Sequence, residues 1–373
     1  MHRELCPFEQ VILYPSFGFR TEAGGPWTLD VTGAVRFAAE GAWRKAIWCG
    51  VLRRMLQVEM EELDKEVFRR RVAAFMTLSK RGRTVSVAAA GAEDRLDPIV
   101  CRTLANGQFR GTLLLSEDQV EELRSVTLGG SAASIATDRE GRNGGQRTAG
   151  LLHPMAGTSI ALRVISPYHR GGASPCGHVH LLEPSGVSVI SDIDDTIKLS
   201  DVIHRRKLLE NTFLREFEPV PGMAEVYRDW QQQSAAFHYV SSSPWQLFDC
   251  LNAFLAGHEF PVGSIHLRPL HFQGMSLLRL LLSRPNVKQR TIRGIFQRFP
   301  QRRFVLVGDS GERDPEIYAA VAEEFPAQIE RILIRRLAGS SDVAARLTHV
   351  FRNLTRQQWQ MFDGPDELPR SLE

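Results

Sequence analysis

The run Val189-Ile190-Ser191-Asp192-Ile193-Asp194-Asp195-Thr196-Ile197-Lys198 sets three carboxylates within four positions, directly after an apolar stretch. Like charges this close repel, so something positive must hold them if the strand is buried. Three further groups invite the same question. Ser241-Ser242-Ser243-Pro244 follows the apolar run AAFHYV, Lys288 opens a helical stretch, and Asp309-Ser310-Gly311-Glu312-Arg313-Asp314 follows FVLVG. Carboxylates from two strand ends can share a hard cation such as Mg²⁺, whose charge cancels their repulsion. A phosphate can then dock on that metal, on a serine hydroxyl beside helix N–H groups, and on a lysine ammonium. One aspartate can attack phosphorus, and another two positions on can move the proton. Each fragment alone reads as a turn or a helix cap. The four together, each placed at a strand end or a helix start, point to phosphoryl chemistry.

These groups need a scaffold that brings strand ends together. From Val187 onward the apolar runs VSVIS, AAFHYVS, GSIHL and RFVLVG alternate with helical stretches, the βαβ pattern of a parallel sheet covered on both faces. Active groups collect at the carboxyl ends of such strands. Helices are expected to begin at Ser243-Pro244 and at Asp314-Pro315. From about 83 to 183 the texture changes to short β-like segments such as TVSVAA, NGQFRGTLLL and TSIALRVIS, which predicts a small β-sandwich. The Gly-rich stretch DREGRNGGQ has no phosphate-loop spacing and reads as a connection. His178 and His180 alternate on a strand, but no third metal ligand accompanies them. Residues 34 to 78 predict one or two long amphipathic helices carrying Trp43, Trp48 and flanking cations, either packed against the protein or lying on a membrane surface. The expected domains are 1–185 (helical and β-sandwich-like), 186–340 (catalytic) and 341–373 (C-terminal helix and tail).

Composition bounds the setting. The chain has 373 residues, 43% hydrophobic and 24% charged, with a net charge of +3, too small to argue for a nucleic-acid partner. Five scattered cysteines without a CxxC pair favour a reducing compartment. No apolar run approaches the ~20 residues of a membrane span, and the first residues do not read as a signal peptide. The expectation is a cytoplasmic protein, with a peripheral membrane surface as a candidate partner.

The order DxDxT, Ser, Lys, GDxxxxD resembles the haloacid dehalogenase-like (HAD) phosphohydrolase superfamily. That resemblance implies Asp192 as nucleophile, Asp194 as general acid/base and Thr196 as the residue steadying their loop. It implies Ser241, with Ser242 beside it, and Lys288 as phosphate-holding groups. It implies a Mg²⁺ site from Asp192, the main-chain carbonyl of Asp194, Asp309 and Asp314. Over roughly 187 to 337, the blocks SDIDDTIK, NTFLREFEPVPGMAEVY, FHYVSSSPWQLF, FPVGSIHLR and FVLVGDSGERDPEIY resemble the actin-patch-protein type of phosphatidate phosphatase. The resemblance implies an α/β, HAD-like parallel-sheet domain with a minimal cap and a lipid phosphate substrate. No insertion is long enough for a full lid, which suits a phosphate projecting from a membrane or macromolecule. A phosphoprotein, a nucleic-acid end or a soluble ester remains an alternative substrate, and a non-catalytic binding module an alternative role. His204-Arg205-Arg206-Lys207 either lines the mouth of the site or forms a solvated basic turn. Asp195 has no assigned task beyond a surface or loop-capping role.

Overall fold

The computed structural model describes residues 4–38, 42–57, 65–124, 159–166, 175–269, 285–338 and 342–372. The stretch DREGRNGGQ lies outside them. The chain divides into two compact units, one of residues 1–39, 77–184 and 262–265, the other of 40–76, 185–261 and 266–373. The segment 40–76, grouped by sequence with the β-rich stretch, thus belongs to the second unit.

The first unit is built on β1 (Gln10–Leu13), β2 (Ser16–Phe19), β3 (Trp27–Ala38), β4 (Thr77–Leu78), β5 (Thr84–Ala89), β6 (Ile99–Arg102), β7 (Gln108–Leu115), β8 (Ser159–Ile165) and β9 (Cys176–Leu182). Two stacked sheets were expected; instead the pairing links all nine strands into a single curled sheet. The reason is the length of β3. Its twelve residues pair with β1, β2, β4 and β7, so one strand serves neighbours on both edges. Residues 34–38, expected to be helical, are the end of this strand, with Val35 opposite Val11. The alternating inward residues Trp27, Leu29, Val31, Val85, Val87, Phe109, Ile160 and Val179 form its core. His180 on β9 is pushed down to about 4 by burial, then by His178, and so is neutral at physiological pH.

In the second unit a six-stranded sheet runs β12-β11-β10-β13-β14-β15, where β10 is Ser185–Ser191, β11 Ala236–Pro244, β12 Ser264–Arg268, β13 Gln301–Asp309, β14 Ile329–Arg335 and β15 Trp359–Phe362. β10 pairs in parallel with β11 and with β13, and β13–β14 and β14–β15 are parallel too. The runs Val189-Ile190, Phe304–Val307 and Ile332–Ile334 are fully buried. Such unbroken apolar runs belong to strands covered on both faces. The chain moves outward from β10 to β12, then returns to β13 on the opposite side of β10. The order therefore reverses at β10, and a crevice is expected at the carboxyl ends of β10 and β13.

The covering helices are α3 (Arg205–Phe213), α4 (Met223–Gln232), α5 (Phe248–Gly257), α6 (Pro285–Arg298), α7 (Asp314–Glu324) and α8 (Val343–Val350), preceded in the chain by α1 (Ala42–Leu56) and α2 (Glu66–Phe75). The helix expected from Ser243 begins later, because β11 continues to Pro244 and a 3-10 turn at Trp245–Leu247 comes first. α2 packs within the unit. Buried Arg71 donates to the Thr212 carbonyl at 2.5 Å and lies over the Phe217 ring at 3.7 Å, and Phe75 contacts Phe213. In α1, Leu52 and Leu56 are buried. The side chains of Trp43 and Trp48 lie outside the described residues. No described helix is long and apolar enough to cross a membrane.

Candidate active site

The parallel register ends β10 at Ser191, so Asp192 leaves the sheet as the chain turns, its N–H still bonded to the Val307 carbonyl of β13 at 2.9 Å. From here the loop is held by its own side chains. Ile193 and Ile197 are fully buried, and the N–H groups of Ile197 and Lys198 both bond to the Ile193 carbonyl. Asp195 sits at φ +54°, a left-handed conformation that Asp tolerates better than most residues. Far from lying on the surface, it is 4% exposed. Its carboxylate accepts the backbone N–H groups of Ser200 (2.8 Å), Asp201 (2.9 Å) and Val202 (2.6 Å). Arg335 donates to its carbonyl at 2.8 Å. Asp195 therefore organises the loop, which answers the question its sequence left open.

β13 delivers the second acidic group. Asp309 is fully buried, and its Oδ1 accepts the N–H groups of Gly311 (2.6 Å) and Glu312 (2.9 Å). α7 begins at Asp314, with Pro315 in its first turn. Tyr318, one turn on, donates to the Val307 carbonyl at 2.9 Å and thereby ties the helix to the strand. Gly308 is required here by space. A Cβ on it would stand 2.4 Å from Asp314 Oδ2 and 2.9 Å from Tyr318 Cε2. Arg346 of α8 buttresses the turn by donating to the carbonyls of Ser310 (2.7 Å) and Glu312 (2.8 Å).

Asp192, Asp309 and Asp314 each present a carboxylate oxygen, all within 4.8 Å of one another, and all three residues are buried. Lys288, in the first turn of α6, reaches between them. Its Nζ donates to Asp192 Oδ1 at 2.6 Å and to Asp314 Oδ1 at 2.5 Å. Burial works against the Lys288 charge, but the two aspartates outweigh it and raise its pKa. Burial, with Asp314 and Asp309 beside it, pushes Asp192 well above the ordinary carboxylate range, against the pull of Lys288. Asp309 is raised for the same reasons, burial first and then Asp314 and Glu312. Asp309 Oδ2 is buried without a hydrogen-bond partner. An all-oxygen, acidic, tightly grouped set with one orphaned oxygen fits a small hard divalent cation.

Asp194 faces a different set of groups. Its Oδ1 takes an ion pair from Lys198 at 2.8 Å and the Ser200 hydroxyl at 2.7 Å. Its Oδ2 takes the hydroxyls of Ser243 (2.7 Å) and Ser241 (3.2 Å). Burial alone would raise this carboxyl, but Lys198, Ser200 and Ser243 outweigh it and hold the group at about 2. Its side chain thus stands apart from the acidic triad. Thr196 Oγ1 donates to Asp192 Oδ2 at 3.3 Å and spans the loop. Ser242 lies beside Ser241 and Lys288 in a small cleft that also includes His266, Arg268 and Thr291. Arg268 Nε donates to the Ser242 carbonyl at 2.9 Å.

The structure thus gathers Asp192, Lys288, Asp309 and Asp314 at one point. It brings Asp194 to Ser241, and Thr196 to Asp192. Four participants were missed: Lys198, Ser200 and Ser243, which grip Asp194, and Glu312, whose carboxyl burial pushes up to about 7. The spacing of Lys198, four residues after Asp194, carried a signal. Ser200 and Glu312 carried none, because only the fold turns them toward the site.

Residues 187–336 match the family model described as the catalytic domain of phosphatidate phosphatase APP1. An uncharacterized protein of Schizosaccharomyces pombe is 37% identical over 161 residues, covering 42% of this chain and 26% of that protein. Phosphatidate phosphatase APP1 of Saccharomyces cerevisiae is 38% identical over 167 residues, covering 43% of this chain and 28% of that protein. The chain thus spans roughly a quarter of the length of these curated relatives. Every group just described except those of α8 falls inside the matched segment. By its blocks of sequence and the residues they bring together, the segment 187–336 belongs to the APP1-type phosphatidate phosphatase catalytic-domain family.

Proposed function

We propose that the second unit is a HAD-like domain with a minimal cap, acting as a phosphatase through an aspartyl-phosphate. Its substrate is a lipid phosphate such as phosphatidate, released as diacylglycerol and inorganic phosphate, and its place of action is the cytoplasm. The observation that carries this reading is the Asp192 carboxylate, buried at the end of the central strand and held by Lys288 at 2.6 Å, two residues before Asp194.

A carboxylate oxygen of Asp192 attacks phosphorus, and the bond from phosphorus to the glycerol oxygen breaks. Lys288, Ser241 and Ser242 hold the phosphoryl oxygens, and Thr196 keeps the attacking carboxylate oriented. A phosphate dianion beside Asp194 opposes its ionisation and draws a proton from solvent onto that carboxyl. Asp194 then gives this proton to the departing alkoxide. In the second half, Asp194 accepts a proton from water, the oxygen attacks phosphorus, and the bond to Asp192 breaks, restoring the enzyme. Asp192, Asp309, Asp314 and the main-chain carbonyl of Asp194 would hold Mg²⁺, which supplies charge neutralisation at the phosphoryl group when bound.

The test is a phosphate-release screen across lipid, protein, nucleotide and sugar phosphates with Mg²⁺ present, using Asp192→Asn as the blank. Release from phosphatidate in mixed micelles, lost in the variant by about 10³-fold or more, is expected. Activity that survives Asp192→Asn refutes the mechanism. Activity confined to soluble esters refutes the lipid substrate.

A further inference from the structure

The loop after the candidate nucleophile ends in an apolar, basic rim that the chemistry does not use. Leu199 is 36% exposed and Ile203 37% exposed. The immediate neighbours of Leu199 are buried in the site: Lys198 grips Asp194, and Ser200 donates to it. The rim also lies beside the acidic triad. A Cβ placed on Gly311 would stand 3.0 Å from Val202 Cγ2 and 3.1 Å from Asp309 Oδ1. The segment is firmly mounted, because the buried Asp195 carboxylate accepts the N–H groups of Ser200, Asp201 and Val202. Asn211 of α3 donates to the Ser200 carbonyl at 3.0 Å, which joins the rim to the helix after it.

That helix begins with cations. His204, Arg205, Arg206 and Lys207 are all exposed. Asp201 offsets His204 and Lys207, and Glu210 offsets Arg206. Arg205 has no ion-pair partner among the described residues. Arg206 Nη1 also donates to Gln57 at the end of α1, whose last turn carries the exposed Arg53 and Arg54. Exposed branched aliphatics alone are ordinary. Two of them on a rigid loop at the site, followed by a basic turn, are matched to a surface with an apolar interior and anionic headgroups. A nucleic acid or an acidic peptide would satisfy the cations and leave the two aliphatic side chains without purpose.

We propose that Leu199 and Ile203, with Arg205 beside them, dock the second unit on an anionic phospholipid bilayer. Leu199 and Ile203 enter the headgroup boundary, and the cations hold neighbouring phosphates, so the crevice meets the lipid at headgroup depth. This deepens the lipid-phosphate reading above and rests on it.

The experiment uses the full chain with sedimentation on phosphatidylcholine vesicles, with and without phosphatidate or phosphatidylserine. Three proteins are compared: wild type, Leu199→Ser with Ile203→Ser, and Arg205→Glu. Hydrolysis of p-nitrophenyl phosphate, a soluble ester, runs in parallel. Wild type should bind the anionic vesicles. The double variant should bind on the order of ten-fold more weakly, and the charge reversal at least about five-fold more weakly. Hydrolysis of the soluble ester should be unchanged in both, while KM for vesicle phosphatidate rises. If the double variant loses soluble activity through misfolding, Arg205→Glu on the helix surface still reads the surface. Wild type that ignores anionic vesicles, or variants that bind as wild type does, overturns the proposal, as does binding to nucleic acid in place of vesicles. Lipid hydrolysis in detergent micelles without vesicle binding refutes the rim and leaves the activity standing. Vesicle binding without hydrolysis of any lipid phosphate does the reverse.

Discussion

Lys288→Met is the sharpest test of how the buried site is balanced. The ammonium is the one cation in contact with Asp192 and Asp314 among the described residues, at 2.6 and 2.5 Å, and all three side chains are at most 2% exposed. Methionine keeps the length and removes the charge. Removing one partner of a buried ion pair costs about 3–5 kcal/mol, because the remaining charges are left uncompensated in a medium that solvates them poorly. Here three carboxylates would remain within 4.8 Å, so the upper half of that range is expected. For a unit of this size the loss corresponds to a fall of roughly 8–20 °C in Tm. The sign with pH comes from the carboxyls. Their folded pKa values are already raised by burial and by one another, and losing Lys288 raises them further. The folded state then keeps protons that the unfolded chain releases, so destabilisation grows as pH rises above about 4 and vanishes below it. The assay is scanning calorimetry of the full chain across pH without divalent metal, then with Mg²⁺. A divalent ion at a hundred times its Kd should return about 2.7 kcal/mol. Asp192→Asn in the same background should also recover part of the loss, giving a measurable coupling between the two positions. A loss under about 1 kcal/mol at pH 8 without metal, or one that Asp192→Asn leaves unchanged, would refute the reasoning.

Four further outcomes rest on particular contacts. Asp194→Asn should slow turnover by about 10²–10⁴-fold for alkoxide leaving groups and far less for p-nitrophenyl phosphate; equal slowing on both removes Asp194 from proton transfer. Gly308→Ala sets a Cβ 2.4 Å from Asp314 Oδ2, so it should lower Mg²⁺ affinity in isothermal titration more than it lowers Tm. A Tm loss with unchanged metal affinity counts against Asp314 as a ligand. Asp195→Ala strips three backbone N–H groups of their acceptor and should cost about 2–4 kcal/mol in chemical denaturation. Because the Asp194 carboxyl is held at about 2, below its ordinary value near 4, its stabilising share is present above pH ~4 and lost as pH falls toward ~2. Lys198→Met should flatten that acid limb of the stability profile, and an unchanged limb removes the Lys198–Asp194 pair from the account.

The residues able to do chemistry were legible because they come directly after apolar runs. A parallel sheet buries such runs completely, as at Val189-Ile190 and Phe304–Val307, and the residues after each run must emerge at the same edge. Local pattern thus determined the sheet, the strand ends with their acidic and hydroxyl groups, and the helix start that carries Lys288. It did not determine pairing across long separations. The strand at 34–38 read as helix because its partners lie on β1, β4 and β7, far from it in sequence. α1 and α2 were grouped with the β-rich stretch, whereas buried Arg71 ties α2 to residues 212 to 217, more than a hundred positions on. The same division runs through VISDIDDTIK. Its order of residues marked Asp192 and Asp194 as the candidate reactive pair. Only the tertiary structure separated their environments, placing Asp192 against Lys288 and two distant aspartates, and Asp194 against Lys198 and three serines. Charge and burial set what each carboxyl does, and both are properties of neighbours that the linear chain does not show.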